Sequence, residues 1–266
     1  MAEVLELKHQ PDLVHRVKAI QEEGFTYFPE ALKPTEISEL KMVMDELTPI
    51  KDQYGRMSRP ENPNALDKHI INAFNHDPIF LQYLDRPEVI DLAEALHGDN
   101  CHIIGMTAWV TGPGRADQKL HCDWLPLELP EDILADPRVK TPVFISTTHY
   151  YLDDVYEELG PTKFIPGSHL SGKKPGEARE WKGETEKSII CNAGDAVTFR
   201  SEVWHRGSAN HSNENRYLLQ VHYAHRMISQ HFPPFMNKFQ FDQDIISMCS
   251  PKQKRLLGDH VNGAYD

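Results

Sequence analysis

Gln118-Lys119-Leu120-His121-Cys122-Asp123-Trp124 places a histidine and an aspartate two residues apart. On a strand, whose side chains alternate with a period of two, that spacing points an imidazole and a carboxylate into one space and sends Cys122 to the opposite face. Imidazole suits zinc, copper, iron and nickel. One carboxylate with two histidines suits Fe(II) and leaves coordination positions open. Alone, His-x-Asp is a weak signal, because 15 histidines make chance pairs common. The rival reading is a core or surface histidine beside a solvated aspartate. A second histidine has to come from elsewhere in the chain.

The flanking pattern sets the fold class. From Cys101 onward, strand-like runs separated by turn residues are predicted at 102–110, 118–124, 143–152, 162–166, 188–191, 196–200 and 216–222. Upstream, residues 11–23 read as a helix with Leu13, Val14, Val17 and Ile20 on one stripe, followed by a short strand at 25–28. A second helix is predicted over 34–47, a short one opened by Asp77-Pro78, and another over 87–96 with Gly98 as its stop. Residues 48–66 lack periodicity and read as a loop, either a lid over a site or a plain connection. Helices first and many short strands after them predict an α+β fold with a double-stranded β-helix core, jelly-roll and cupin-like, and N-terminal helices packed outside. With no internal repeat and no linker, residues 1–266 are expected to form a single domain. Within it, 1–98 is a mainly helical buttress, 99–226 the jelly-roll core and 227–266 a C-terminal extension.

Composition narrows the partners. With 28 Lys and Arg against 40 Asp and Glu, the formal charge is −12. This argues against a nucleic-acid groove or an anionic membrane surface, both of which are bound through basic side chains. A small-molecule substrate is expected. The acidic N-terminus lacks an apolar signal region and no run of 18 apolar residues occurs, so a cytoplasmic protein, monomer or homodimer, is predicted. Four widely spaced cysteines form no CxxC pair and read as reduced thiols.

The second histidine stands in Ala193-Gly194-Asp195-Ala196-Val197-Thr198-Phe199-Arg200-Ser201-Glu202-Val203-Trp204-His205, and Arg216 follows eleven residues later. In a jelly roll these positions are expected on neighbouring strands, bringing a guanidinium into the cavity the histidine faces. Its fixed fork of donors would hold a carboxylate bidentately.

Three pieces in this order then resemble the phytanoyl-CoA dioxygenase family of Fe(II)/2-oxoglutarate-dependent dioxygenases, over about residues 16–225. They are Gln118-x-x-His121-x-Asp123, Gly160-Pro161-Thr162-Lys163-Phe164-Ile165-Pro166-Gly167-Ser168-His169, and Gly194-Asp195 through Trp204-His205-x-Gly207-x-x-Asn210 to Arg216. The resemblance implies iron bound by His121, Asp123 and His205, and the far carboxylate of 2-oxoglutarate held by Arg216. It also implies O2 as co-reactant and cosubstrate contacts from Gln118, Thr107, Ser208 and, in a looser match, Lys68. Because superfamily halogenases replace the carboxylate ligand by Ala or Gly, the presence of Asp123 implies hydroxylation and not halogenation, with hydroxylation the default among outcomes that in relatives also include desaturation, dealkylation, epoxidation and rearrangement.

His149, Trp204 and His222 are candidates for the substrate pocket, each set against plain packing. The segment from Gly160 to His169 reads as structural, with His169 a loop hydrogen-bonder. Two other functions remain open on the sequence. One is a non-redox cupin-like protein that binds a metal and a small acid. The other is a zinc-dependent hydrolase, since zinc accepts the same ligands but leaves Arg216 and Gln118 without a role. Apart from Lys173-Lys174, no basic cluster offers itself to the phosphates of an acyl-CoA, which favours a non-CoA metabolite.

Overall fold

Period-two alternation along two long strands separates a helix-covered face from a cavity face. In the computed structural model, which describes residues 3–47, 66–134, 136, 138–232 and 239–260, the chain opens with strand β1 (Glu3–Val4) and helix α1 (Leu13–Glu22). Then come β2 (Phe25–Phe28), helix α2 (Pro34–Glu46), β3 (Asp67–Ile71) and helix α3 (Val89–His97). The long β4 (His102–Thr111) leads to β5 (Ile145–Tyr151), β6 (Thr162–Phe164), a hairpin of β7 (Glu180–Trp181) and β8 (Glu184–Thr185), and β9 (Lys187–Ser188). The strands end with β10 (Ala196–Arg200), β11 (His205–Gly207) and β12 (Arg216–Ala224). A six-stranded antiparallel sheet runs β2-β10-β5-β12-β4-β3, and a smaller sheet runs β1-β9-β6-β11. This is the α+β jelly roll expected. Two of its edge strands, β2 and β3, come from the N-terminal part read as mainly helical.

On β4, Met106, Ala108 and Val110 join the main core, and on β12 so do Leu219, Val221 and Tyr223. Helices cover this face through Ile20 of α1, Leu40 and Met44 of α2, and Val89, Ile90, Leu92 and Ala93 of α3. Full burial of one such aliphatic or aromatic side chain stabilises by about 1.5–3 kcal/mol. The last part of the chain packs into the same core through Phe232, Phe239, Ile245, Leu256 and Leu257. Among the described residues no helix is long and apolar enough to cross a membrane.

Three expectations change and one falls outside the described residues. The buried stripe of α1 is Arg16, Ala19 and Ile20, while Val14 is exposed. Arg16 lays its guanidinium over the Phe28 ring, 4.5 Å from the centroid, and pairs with Glu88 at 2.8 Å, which satisfies a charge that burial would otherwise penalise. The stretch from Gln118 to Trp124 is not a regular strand. Its backbone is held by Gly207 at Gln118, His205 at His121 and Ser201 at Asp123. Three residues on one side thus match two on the other, and then two match four, so no continuous ladder can form. His205 and Arg216 lie on opposite sheets, β11 and β12, and not on neighbouring strands. The loop expected over 48–66 falls, except for Leu66, outside the described residues.

The motif from Gly160 to His169 shapes the smaller sheet. At Gly160, φ is +85° and an added Cβ would lie 2.6 Å from the Ala209 carbonyl oxygen, so glycine permits both the turn and the close approach. Ser168 Oγ accepts the Trp204 N–H at 2.8 Å, and a His169 ring nitrogen stands 3.1 Å from the Gln21 carbonyl oxygen.

His97 ties α3 to β5. Its Nδ1 donates to the Val143 carbonyl at 2.8 Å and its Nε2 accepts from Ser146 Oγ at 2.8 Å. Burial is the main cause that lowers its pKa to about 4. Between pH 6.5 and about 4 the unfolded chain therefore binds a proton at this site that the folded chain refuses. Stability rises with pH across that window and is lost on acidification, by on the order of 3 kcal/mol from this residue. Urea midpoints measured from pH 7 to pH 4 should fall, and more shallowly in His97→Asn than in the wild type.

Candidate active site

A cavity of about 220 Å³ lies between the two sheets. Its floor is the face of β4, β5 and β12 that points away from the helices, and its roof is β11 with the Gln118–Trp124 stretch. Alternation decides which residues reach it. Along β12 the even positions Arg216, Leu218, Gln220 and His222 line it, and along β4 the odd positions Thr107, Trp109 and Thr111 do.

At one end His121, Asp123 and His205 bring one ligand atom each within 4.8 Å of one another. His121 Nε2 is 3.6 Å and His205 Nε2 is 3.5 Å from Asp123 Oδ1. Both Nδ1 atoms face backbone carbonyls, that of Lys119 at 2.7 Å for His121 and that of Val203 at 2.9 Å for His205. A carbonyl only accepts, so each Nδ1 carries a hydrogen and each Nε2 is the atom turned towards the carboxylate. Burial raises the Asp123 carboxyl, but His205 and His121 outweigh it and hold the group well below the usual carboxylate range. Burial lowers the His121 imidazole, and Asp123 with the Lys119 carbonyl reverses this into a net rise. Two imidazole Nε2 atoms and one ionised carboxylate, already turned towards a common point, fit a divalent transition metal such as Fe(II).

At the other end Arg216 is half-buried, and its buried Nη1 has no hydrogen-bond partner among the described residues. Burial, then the neighbouring Arg115, lowers its pKa to about 10, which still leaves it charged at neutral pH. Gly207 on the facing strand keeps space open there. A Cβ at this position would lie 3.0 Å from Gln118 Oε1 and 3.7 Å from Arg216 Nη2. Gln118 Oε1 accepts the Gly207 N–H at 2.8 Å, which orients its amide NH2 as the remaining donor.

Of the residues singled out from sequence, His121, Asp123, His205, Arg216, Gln118, Thr107, His149 and His222 meet at this cavity. Lys68, Ser208 and Trp204 do not. Lys68 pairs with Val110 on β4, on the helix-covered face, and its Nζ donates to the Asp45 carbonyl at 2.9 Å. Ser208 Oγ donates to the Pro161 carbonyl at 2.5 Å. Trp204 is buried on the far side of its strand with Cys122, Ile165 and Trp181, and its indole donates to the Lys173 carbonyl at 2.9 Å. Sequence reasoning missed Trp109, Arg115, Trp124 and Gln220 as lining residues. For Trp109 and Gln220 the signal was available, since they share strand parity with Thr107 and Arg216.

Comparison with known proteins agrees with this arrangement. The phytanoyl-CoA dioxygenase (PhyH) family model matches residues 20–217. The chain is 23% identical over 248 residues to dioxygenase af480 of Aspergillus fumigatus, covering 90% of this chain and 74% of that one. It is 24% identical over 254 residues to dioxygenase trt7 of Aspergillus terreus, covering 90% and 81%. Among solved structures, the non-heme alpha-ketoglutarate-dependent epimerase SnoN from nogalamycin biosynthesis superposes with a TM-score of 0.62 at 18% identity, over 80% of this chain and 83% of that one. HygX from Streptomyces hygroscopicus, solved with nickel and 2-oxoglutarate, gives a TM-score of 0.62 at 13% identity, over 82% and 89%. At these identities the structural likeness establishes the shared fold.

Proposed function

The chain belongs to the phytanoyl-CoA dioxygenase family, and from that premise we propose that it hydroxylates a C–H bond of a small-molecule metabolite. In this proposal His121, Asp123 and His205 hold iron and Arg216 holds the far carboxylate of 2-oxoglutarate. Family membership and the dioxygenase relatives make the protein an oxidoreductase of the Fe(II)/2-oxoglutarate-dependent type. When bound, Fe(II), 2-oxoglutarate and O2 supply the oxidising chemistry, in which 2-oxoglutarate leaves as succinate and CO2 while the substrate is oxidised.

The observation that carries the residue assignment is the polarity of the cavity. An anionic His-Asp-His ligand set stands at one end, and a guanidinium with a buried, unpartnered nitrogen stands at the other. A dicarboxylate with a 2-oxo group matches both ends. Arg216 fixes it by one carboxylate through a charge-assisted hydrogen bond. The carbonyls of Lys119 and Val203 hold a hydrogen on each Nδ1, which leaves each Nε2 as the atom that can ligate a metal. Gln118 and Thr107 complete the cosubstrate contacts. His222 and Trp124, whose rings stand 5.2 Å apart, face the substrate. With all three ligands present, hydroxyl is the group delivered. The whole chain acts as one catalytic domain, since one apolar core is shared from Ile20 to Leu257.

The substrate belongs to the non-CoA metabolites in this reading, which the net charge of −12 supports. The likeness to enzymes solved with nogalamycin RO and with hygromycin B points the same way. Succinate formation from 2-oxoglutarate, measured with Fe(II) and O2 against a panel of metabolites, is expected to be stimulated by a non-thioester compound. Stimulation by acyl-CoA thioesters alone would replace this substrate class, and a hydroxylated product absent from a stimulated reaction would remove hydroxylation as the outcome.

A further inference from the structure

His222 is the last residue of β12 to line the cavity, six positions beyond Arg216 or about 20 Å along the strand. A five-carbon cosubstrate clamped at Arg216 is too short to cover that span, which leaves the His222 end to the substrate. The ring is half-buried and stands against Trp124, with 5.2 Å between centroids and 77° between planes.

The hydrogen on this ring can be placed. Nδ1 lies 2.9 Å from Oγ1 of Thr147, the residue directly across the sheet. Thr147 is wholly buried, and this ring nitrogen is the partner its hydroxyl has among the described residues. If Nδ1 donated, the hydroxyl hydrogen would be enclosed without an acceptor, at a cost of about 1–3 kcal/mol. The hydroxyl therefore donates to Nδ1, and the neutral ring carries its hydrogen on Nε2. Nε2 has no partner among the described residues and is not one of the enclosed atoms, so it opens to the cavity. Desolvation in the cavity lowers the ring's pKa to about 4, which keeps it neutral at pH 7.

The surroundings select the acceptor. The lining cations, Arg115 and Arg216, stand together at the other end. With Fe(II) bound, Asp123 and the near carboxylate of 2-oxoglutarate would balance its charge, so nothing at the His222 end offsets a substrate anion. An ammonium would meet an N–H donor, which repels it. Trp124 packs with Phe144 and Ile228 on a patch of Ile104, Ile145 and Ala224, so the wall beside the donor is apolar.

We propose that His222 is a specificity-determining residue that donates a hydrogen bond from Nε2 to a hydroxyl or carbonyl oxygen of an uncharged substrate, whose apolar body lies along Trp124. The inference rests on the oxygenase reading above and names the substrate class within it. Thr147 is a positioning residue, since it acts through the ring of His222.

Two measurements test it. In metal-free protein labelled with 15N-histidine, two-bond ring correlations should report His222 protonated at Nε2, and the Nδ1–H tautomer would overturn the assignment. In protein loaded with 2-oxoglutarate and with Zn(II) in place of paramagnetic iron, cyclohexanone and cyclohexanol should each shift the Nε2–H resonance. Both should bind at least about tenfold more tightly than cyclohexanecarboxylate, whose charge would be buried unpaired. The Kd for cyclohexanone should rise about three- to tenfold in His222→Phe. It should return to within about twofold of wild type in His222→Gln, whose amide nitrogen replaces Nε2 as donor. Thermal melts check folding, and the wild-type tautomer and probe shifts decide if the Phe variant does not fold. No shift with either neutral probe, tighter binding of the carboxylate, or equal cyclohexanone affinity in wild type and His222→Phe would overturn the proposal while leaving the oxygenase reading intact. A wild-type protein that binds iron but no 2-oxoglutarate would remove both.

Discussion

Asp123→Ala is expected to retain less than about 1% of wild-type turnover and to bind iron at least about a hundredfold more weakly. Groups that merely support a metal ligand cost about 10- to 100-fold when removed, and a charged ligand itself should exceed that. The fold should survive, because the carboxylate is only partly buried and the segment is held by backbone bonds from residue 123 to Ser201 and from His121 to His205. Loss of the anion also withdraws the field that raises the His121 pKa, so in the variant this imidazole is free of its second proton down to lower pH than in the wild type. Iron content after desalting and succinate release report the two effects separately. A variant that hydroxylates at the wild-type rate would exclude Asp123 as a ligand, and chlorination by the wild type in the presence of chloride would do the same.

Arg216→Leu is expected to act on the cosubstrate and not on the metal. Removing one partner of a buried charge pair commonly costs about 2–5 kcal/mol, because the other charge is left desolvated and alone. Apparent 2-oxoglutarate affinity should then fall by roughly thirtyfold to a few thousandfold. Leucine suits the space chemically, since Leu218 and Tyr151 already lie beside it on the two strands, so folding should hold. Iron binding by His121, Asp123 and His205, at the far end of the cavity, should be unchanged. Unaltered 2-oxoglutarate affinity would leave a metal site without a clamp.

The ligand set and the guanidinium were legible in the sequence because they depend on order and spacing, which a motif carries directly. Strand β2 at 25–28 and β10 at 196–200 were legible for a related reason, as each is a short run of β-branched and aromatic residues bounded by turn signals. β3 was not, since Asp67-Lys68-His69 reads as polar and only the pairing with β4 makes it a strand. The separation between His205 and Arg216 could not tell neighbouring strands from facing sheets. In either arrangement both side chains reach one cavity, which is where the structure places them although by a different route.

Lys68, Ser208 and Trp204 share one physical error. The alternation that correctly sent Cys122 away from His121 and Asp123 also applies around His205 and Gly207, and it turns Trp204 and Ser208 outward. On β3 it places Lys68 on the helix side, opposite to Asp67 and His69. In α1 the helical period admits two overlapping stripes. The outcome turned on Phe28 and Glu88, which give Arg16 a buried home that composition alone does not reveal.

Anaerobic titration of 2-oxoglutarate into the Fe(II)-loaded protein, followed by visible absorption, tests most directly that one cavity holds both groups. A weak charge-transfer band should appear and saturate, and it should be lost in Asp123→Ala and shifted to much higher 2-oxoglutarate concentration in Arg216→Leu. Absence of the band in folded wild-type protein that contains stoichiometric iron would contradict the account.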